Sequence, residues 1–163
     1  MRDPNDIFHA KKKIGVKEEV LLQMLFETRE SNQGACFVIT DPDLDDNAII
    51  YASPGFCAHT QYTKKEVEGR NCRFLQGDRT DPKDVKVIRD AISENREVSV
   101  ELLNYKKSGE PFLNQFFLLP LKKAGENSVA YYLGVQCELK ESMQSAGWSQ
   151  QGKNPGWRIF HWL

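Results

Sequence analysis

Short apolar runs separated by turn residues dominate the middle of the chain. Runs at 35–40 and 48–52 have the length and the β-branched or aromatic content typical of strands. Three more runs, at 98–105, 112–121 and 129–139, are separated by Gly-containing turns and predict a meander. The pattern predicts an α+β fold: a five-stranded antiparallel sheet with short helices collected on one face. The space between such a sheet and its helices is a natural ligand site.

Two helix start signals lie between the second and third predicted strands. Thr63 and Glu66 have the spacing of a capping box. Asp81 and Pro82 open a longer helix, because Asp caps the free N–H groups and Pro lacks an N–H where none is needed. The apolar face of this longer helix comprises Val85, Ile88, Ala91 and Ile92.

An amphipathic helix is predicted before the first strand, over 16–29, because apolar residues recur there near the helical period. Its expected buried face comprises Val16, Val20, Leu21, Met24 and Leu25. We therefore expect three parts: an N-terminal cap at 1–34, a core at 35–139 and a C-terminal flank at 140–163. The flank is expected to begin with a short helix at 140–144, and it contains all three tryptophans.

Composition and charge exclude several classes of protein. Hydrophobic residues make up 40% and charged residues 28%, which is typical of a globular chain, and the net charge of -1 favours no nucleic-acid or anionic membrane partner. The longest uncharged apolar run, 111–121, is too short to cross a bilayer.

The four cysteines, Cys36, Cys57, Cys72 and Cys137, contain no Cys-x-x-Cys pair, which argues against a zinc ribbon, a thioredoxin motif or a dense disulfide framework. No apolar leader follows Met1. We expect four reduced thiols in a cytoplasmic or nuclear protein.

Side chains suited to cofactor binding are concentrated at 69–77. This segment contains the thiol of Cys72, the amides of Asn71 and Gln76, and the guanidinium of Arg73. Each amide can both donate and accept hydrogen bonds, as a sugar alcohol or a heterocycle edge requires. A guanidinium can bind a phosphate through two parallel hydrogen bonds.

Further amides lie on the predicted meander. Asn104 and Asn114 occupy neighbouring strands, and Gln136 lies in the last strand, where a buried amide is costly unless it is hydrogen-bonded. Taken singly, each amide is most simply a structural hydrogen bonder, and Arg89 a salt-bridge partner. Taken together, they favour a bound polar aromatic cofactor with a phosphate tail.

The segment Asn71-Cys72-Arg73-Phe74-Leu75-Gln76 resembles the signature of LOV domains, the flavin-binding blue-light sensors of the PAS fold. The resemblance covers 35–139, in matching order and spacing. It continues through Phe37-Val38-Ile39-Thr40-Asp41-Pro42, Tyr51-Ala52-Ser53, Leu103-Asn104-Tyr105, Asn114-Gln115-Phe116-Phe117 and Gly134-Val135-Gln136-Cys137. The last two motifs are most similar to the LOV domains of aureochromes.

The resemblance implies a role for each matching residue near the thiol. Cys72 is implied as the photoreactive thiol, and Gln136 as the residue facing N5 and O4 of the flavin. Asn71 and Gln76 are implied as contacts of the ribityl chain and the ring. FMN is favoured over FAD, because LOV proteins that take FAD often carry an insertion where this chain has only the short connection 76–81.

The remaining implied contacts surround the ring and the phosphate. Asn104 and Asn114 are implied to bind the pyrimidine edge, and Arg73 and Arg89 to hold the phosphate. The implied ring wall is mainly apolar and comprises Val38, Thr40, Leu75, Val85, Ile88, Leu103, Phe116 and Leu118.

The implied function is blue-light reception through a reversible bond between Cys72 and flavin C4a. Protonation of N5 then requires Gln136 to rotate its amide, and the last strand passes this change to the flanks, altering a protein interaction or a homodimer. A light-independent flavin- or redox-sensing PAS module is the alternative, and no enzymatic activity is expected. Cys36 and Cys57 are expected to be small buried residues, whereas strand alternation places Cys137 on the opposite sheet face.

Overall fold

A five-stranded antiparallel sheet organises the chain, as the pattern of apolar runs predicts. The computed structural model describes residues 11–27 and 34–139. The spatial order of the strands is β2-β1-β5-β4-β3, so that the last strand lies between the first and the fourth. The strands are β1 (Phe37–Asp41), β2 (Ala48–Ala52), β3 (Val98–Tyr105), β4 (Pro111–Lys122) and β5 (Val129–Glu138).

Short helices fill the connection between β2 and β3. The helices in chain order are α1 (Val16–Glu27), α2 (Pro54–Thr60), α3 (Lys64–Val67) and α4 (Pro82–Ser93). Two 3-10 turns, Asp45–Asn47 and Cys72–Leu75, complete the described elements. The predicted helix at 140–144, the continuation of α1 to residue 29 and the three tryptophans lie outside the described residues. No helix within 11–27 and 34–139 is long and apolar enough to span a membrane.

Side-chain capping sets the starts of the short helices. The capping box predicted at Thr63 is present, with the Thr63 N–H donating to the Glu66 carboxylate at 2.8 Å. Asp81 caps α4 by accepting from the N–H of Lys83 at 2.8 Å. Ser53, which the sequence pattern did not single out, caps α2 and also donates to the carbonyl of Ala35 at 2.8 Å. The hydrogen bonds of Ser53 connect the start of α2 to the segment that leads into β1.

Strand alternation separates an inner face, which meets the short helices, from an outer face. In the register between β4 and β5, Phe116 lies opposite Gln136 on the inner face, whereas Phe117 lies opposite Val135 on the outer face. The outer face packs against α1, where the Phe26 ring meets Phe37 at 5.5 Å in an edge-on contact. The ligand-sized space is therefore left on the inner side.

The buried face of α1 differs from the sequence-based expectation. Leu22 and Phe26 are the buried residues of this helix, whereas Val16, Val20 and Met24 are 77%, 51% and 41% exposed. Apolar residues cover more than half of the helix circumference, so periodicity alone leaves the choice of face open. Contacts of Phe26 with the aromatic outer face of the sheet decide it, and the predicted Leu21 and Leu25 are partly buried beside them.

Candidate functional site

A cavity lies between the inner face of the sheet and the short helices. Its empty volume, including its opening to solvent, is about 670 Å³. The lining residues come from β1, both 3-10 turns, α4, β3, β4 and β5. They are Val38, Thr40, Asn47, Asn71, Cys72, Arg73, Leu75, Gln76, Ile88, Ile92, Leu102, Asn104, Asn114, Phe116, Leu118, Gly134 and Gln136.

Most of the site residues expected from the sequence line this one cavity. Val85, Arg89 and Leu103 do not. Val85 and Arg89 lie on α4, three residues before and one residue after the lining residue Ile88, and Arg89 is exposed. The salt bridge considered for Arg89 is absent, because no acidic side chain within 11–27 and 34–139 pairs with it.

The assignment of Leu103 to the cavity wall is wrong. Asn104 faces the cavity, and strand alternation therefore turns the neighbouring Leu103 to the outer face. Leu102 lines the cavity in its place and is 4% exposed. The carbonyl of Leu103 accepts a hydrogen bond from the hydroxyl of Thr80 at 2.6 Å, which connects β3 to the segment before α4.

Sequence reasoning missed four lining residues: Asn47, Ile92, Leu102 and Gly134. The spacing of two residues to Asn104 and Gln136 was a usable signal for Leu102 and Gly134. Ile92 lies on the predicted apolar face of α4, so helical periodicity identified it as inward-facing without assigning it to the site. Asn47 belongs to an irregular turn, and no periodic signal marks it.

Gly134 allows the Phe116 ring of β4 to pack closely against the backbone of β5 at the cavity wall. A Cβ atom at this position would lie 2.9 Å from Cε2 of Phe116 and 3.4 Å from Cγ2 of Val38. The first separation is shorter than a normal van der Waals contact, so a larger residue would push the Phe116 ring out of its position. Glycine is therefore required by the packing of two lining residues.

Asn71 shapes the turn that carries the thiol. Its side-chain oxygen accepts from the N–H of Arg73 at 3.0 Å, which caps the 3-10 turn Cys72–Leu75. Its amide nitrogen donates to the carbonyl of Asp46 at 2.7 Å, which links this turn to the one before β2. Both hydrogen-bonding ends of Asn71 thus position the backbone around Cys72.

The thiol of Cys72 is held in its neutral form. Burial raises its pKa to about 12, and its neighbours include the apolar residues Val38 and Leu75 of the inner cluster. At neutral pH this sulfur therefore retains its proton. It is a poor nucleophile until a partner in the cavity activates it, because thiolates and not thiols react readily.

Two buried amides meet on β3 and β4. Asn104 and Asn114 are 4% and 1% exposed, and Nδ2 of Asn114 donates to Oδ1 of Asn104 at 2.9 Å. Oδ1 of Asn114 accepts from the N–H of Cys137 at 3.3 Å. Each amide group has two N–H donors and one acceptor oxygen, so the pair retains hydrogen-bonding capacity for a ligand. It suits a ring edge on which donors and acceptors alternate.

Gln136 is the third buried amide. Its neighbour is Cys36, which directly precedes β1 and pairs with β5. Cys36 Sγ donates to Oε1 of Gln136 at 3.7 Å, and the Gln136 N–H donates to the Cys36 carbonyl at 2.8 Å. Burial raises the pKa of the Cys36 thiol to about 12, so this sulfur remains a donor at neutral pH. A thiol is a weak hydrogen-bond donor, so this contact restrains the Gln136 side-chain amide only weakly.

Two buried polar atoms of the cavity lining have no hydrogen-bond partner: Oγ1 of Thr40 and Oδ1 of Asn47. A buried polar atom left unsatisfied costs about 1–3 kcal/mol. His59 Nε2 is also buried without a partner, but this residue does not line the cavity. Both residues line the cavity, and a polar ligand bound there is a candidate partner for these oxygens.

Arg73 provides positive charge at the cavity opening. Its guanidinium forms a two-pronged ion pair with Asp46, in which Nη2 donates to Oδ1 at 2.7 Å and Nη1 donates to Oδ2. This hydrogen bonding lowers the pKa of the Asp46 carboxyl below its ordinary value. The pair is exposed, so its Arg73 member remains accessible to an anion arriving from solvent.

The other thiols lie away from the cavity lining. Cys36 and Cys57 pack against the inner cluster, but they are half-buried and not fully buried as the sequence led us to expect. Cys137 is exposed and lies opposite Gln115 on the outer face, as strand alternation predicts. All four cysteines are free, and no group of three or more metal-ligating side chains is found among the residues described in the structure.

Comparison with known proteins identifies similar chains. The family model described as PAS domain matches residues 34–138. Phototropin-1A of Oryza sativa subsp. japonica is 51% identical over 108 residues, which cover 66% of this chain and 12% of that protein. A blue-light-activated histidine kinase of Brucella canis is 42% identical over 110 residues, or 66% of this chain and 22% of the kinase. The chain thus spans only a small part of these curated relatives.

Solved structures with the same fold include two LOV domains. The light-state structure of the Aureochrome1 LOV domain is 44% identical, with a TM-score of 0.66, and the match covers 72% of this chain and 91% of that one. A structure titled as a flavin-analogue study of the light-oxygen-voltage domain mechanism is 43% identical. Its TM-score is 0.72, and the match covers 83% of this chain and 96% of that one.

Proposed function

Because this chain belongs to the PAS domain family and is a LOV domain within it, we propose that 35–139 form the flavin-binding sensor of a blue-light photoreceptor. The N-terminal part, with α1, and the segment after residue 139 serve as its flanks. The single observation that carries the proposal is chemical: one cavity combines a neutral thiol, three buried amides and two unsatisfied buried oxygens.

The buried amides support flavin as the ligand. The pyrimidine edge of a flavin alternates donors and acceptors, and Asn104 with Asn114 offers both kinds of group within 2.9 Å of each other. Apolar side chains such as Leu118 and Phe116 cover the ring, while Thr40 and Asn47 gain partners for their unsatisfied oxygens. All of these side chains already line the cavity.

The ribityl chain and the phosphate would extend toward the cavity opening. Asn71 and Gln76 hydrogen-bond the hydroxyl groups, and Arg73 binds the phosphate, with Arg89 reaching it from the exposed side of α4. The connection between the two helical elements is only six residues, 76–81. It leaves little chain to enclose a second nucleotide, and we therefore propose FMN in preference to FAD.

Cys72 supplies the reactive thiol. A bound flavin contributes the absorption of blue light and an excited ring that reacts with a nearby thiol. On illumination, Cys72 would supply its sulfur for a reversible bond to ring carbon C4a and its thiol proton to ring nitrogen N5, so that no further reactant would be consumed. The raised pKa of Cys72 ensures that this proton is present at neutral pH before illumination.

Gln136 converts this proton transfer into a structural change. When N5 turns from acceptor to donor, Gln136 must turn its amide, because an unpaired buried group costs about 1–3 kcal/mol. Its present partner is the weak thiol donor of Cys36, so little opposes the rotation. A free-energy difference of this size shifts a two-state equilibrium by about 5- to 160-fold.

The outer face of the sheet is the proposed output surface. Val135, next to Gln136 on β5, packs against the same outer cluster as Leu22 and Phe26 of α1. A shift of β5 would therefore move α1 through this packing. Three apolar side chains of α1, Val16, Val20 and Met24, are exposed and available to a partner or to a second copy of the chain. We propose that light alters such an interaction, and we assign no enzymatic activity to this module.

The test is reconstitution with FMN followed by illumination. The purified chain should bind FMN, lose its blue absorption under blue light and recover it in the dark. Replacement Cys72→Ala should keep the FMN but abolish bleaching, whereas the matched control Cys57→Ala, a half-buried thiol outside the cavity lining, should bleach normally.

The possible results separate the two candidate functions. Bleaching that persists in Cys72→Ala would show that this thiol is not the reactive group. A flavin-loaded chain that does not bleach would instead support light-independent flavin or redox sensing. A chain that binds no flavin would contradict both.

A further inference from the structure

Arg73 lies where the cavity opens to solvent. It belongs to the cavity lining, yet its side chain is 60% exposed. The neighbouring lining residues in chain order, Asn71 and Cys72, are half-buried. An anionic group on a ligand whose ring is buried among β3, β4 and β5 would therefore meet this guanidinium at the edge of the cavity.

The binding face of this guanidinium is already occupied. Two of its nitrogens, Nη1 and Nη2, donate to the two oxygens of Asp46. A carboxylate and a phosphate both bind arginine through two parallel hydrogen bonds of this kind. A phosphate that used these nitrogens would have to displace Asp46.

The carboxylate is anchored beside Arg73 by the backbone. Asp46 has a left-handed conformation, with φ 60°, and its carbonyl accepts from Nδ2 of Asn71 at 2.7 Å. The same Asn71 accepts from the N–H of Arg73 at 3.0 Å. Asn71 thus joins the two partners of the ion pair, and a displaced Asp46 carboxylate would remain next to the incoming anion.

We propose that Asp46 is a specificity-determining residue of this site: its carboxylate competes with the flavin phosphate for Arg73 and so limits the preference for phosphorylated over unphosphorylated flavin. The inference rests on the proposed flavin function. The competition is reversible, because an exposed ion pair is held weakly. Riboflavin has the same ring and ribityl chain without the phosphate, and Asp46 leaves its binding unaffected.

The experiment compares two ligands and five proteins: the wild type, Asp46→Asn, Glu94→Gln, Arg73→Gln and the Arg73→Gln/Asp46→Asn double variant. Dissociation constants of FMN and riboflavin for the flavin-free chain are measured by the quenching of flavin fluorescence. Asp46→Asn removes the charge, and asparagine also adopts the left-handed conformation that this turn requires. Glu94→Gln is the matched control, since Glu94 also pairs with an exposed arginine, Arg96, and neither residue lines the cavity.

We expect Asp46→Asn to bind FMN roughly threefold more tightly, the size typical of one exposed ion pair, and to bind riboflavin as the wild type does. Glu94→Gln should bind both flavins unchanged. In a chain carrying Arg73→Gln, the further replacement Asp46→Asn should lose most of this gain, because no guanidinium is left to compete for.

Different results would overturn different claims. An FMN-to-riboflavin preference that is unchanged or reduced in Asp46→Asn would overturn the role of Asp46 alone. A full gain in the Arg73→Gln background would show general charge repulsion in place of competition for Arg73, and would also overturn it. Failure of the wild-type chain to bind either flavin would overturn the proposed function and this inference with it.

Discussion

Asn114 donates a hydrogen bond from Nδ2 to Oδ1 of Asn104 at 2.9 Å, inside the cavity and across two strands. The two residues are diagonal neighbours, because Asn114 lies directly opposite Leu102 in the register between β3 and β4. The bond orients both amides before any ligand arrives. A planar polar ring would therefore bind without first having to order these side chains.

Removal of one amide tests this pre-orientation. Asn114→Ala leaves Oδ1 of Asn104 and the N–H of Cys137 without their partner, so we expect the free energy of unfolding of the flavin-free chain to fall by about 1–3 kcal/mol. Urea unfolding measures this loss. The control is Gln115→Ala, since Gln115 is the neighbouring residue and its hydrogen bond to Ser99 is exposed. It should cost less than about 0.5 kcal/mol, and an equal loss in both variants would contradict the prediction.

Gln136→Leu separates light absorption from signal output. The replacement keeps the approximate size of the side chain but cannot exchange hydrogen bonds, so we expect bleaching to persist while light-dependent hydrogen exchange in β5 and α1 is lost. Hydrogen exchange followed by mass spectrometry, in the dark and under blue light, measures both segments. Gln115→Leu, on the outer face, should retain the light-dependent change. A full response in Gln136→Leu would exclude Gln136 as the route of the signal.

Gly134→Ala should crowd the cavity wall. The added Cβ lies 2.9 Å from the Phe116 ring, and overpacking of this kind costs about 1–3 kcal/mol of stability. Thermal unfolding of the flavin-free chain measures the cost, and the affinity for riboflavin should fall with it. Leucine is smaller than phenylalanine, so a Phe116→Leu/Gly134→Ala double variant should relieve the clash. The losses of stability from the two single replacements should then be less than additive. Simple additivity would show that the clash with Phe116 is not the cause of the stability lost in Gly134→Ala.

Ionisation of the Cys36 and Cys72 thiols should lower the free energy of unfolding at high pH. Cys36 and Cys72 keep their protons in the folded chain, since burial raises the pKa of each to about 12 from an ordinary value of 9.0. Their favourable contribution is complete below pH 9 and is lost as the pH rises toward 12, because the unfolded chain releases these protons first. The limiting slope is about 1.4 kcal/mol per pH unit for each thiol.

Urea unfolding at pH 8 and pH 10 measures this dependence on the flavin-free chain. Cys72→Ala should lose less stability between the two pH values than the wild type does. Cys137→Ala should stay closer to the wild type, because burial raises the pKa of this thiol less than that of Cys72. Equal losses in Cys72→Ala and the wild type would show that the Cys72 thiol titrates normally in the folded chain.

Local signals in the sequence were sufficient for most of the secondary structure. Strands β2 and β3 have the predicted bounds, and the other strands differ by one or two residues at either end. Strand alternation correctly separated Gln136 from Cys137. The same alternation places Leu103 on the face opposite Asn104, so the assignment of Leu103 to the ring wall is wrong.

Other features had no local signal. The buried face of α1 depends on Phe26 meeting Phe37 and Tyr51, contacts between residues far apart in the chain. Asn47 enters the cavity from a turn with left-handed backbone, and periodicity does not describe such a turn. The ion pair of Arg73 with Asp46 spans 27 positions and joins two irregular turns.

The sequence by itself determined the strands, the helix caps and the residue types of the site, because these depend on spacing of two or about 3.6 residues and on the motif around Cys72. Only the tertiary structure decided which face of α1 is buried, that Asn47 lines the cavity, and that the Asp46 carboxylate pairs with Arg73. The physical reason is that these outcomes depend on which surfaces of distant segments bury most apolar area and pair their charges. Both quantities exist only once the sheet has brought those segments together.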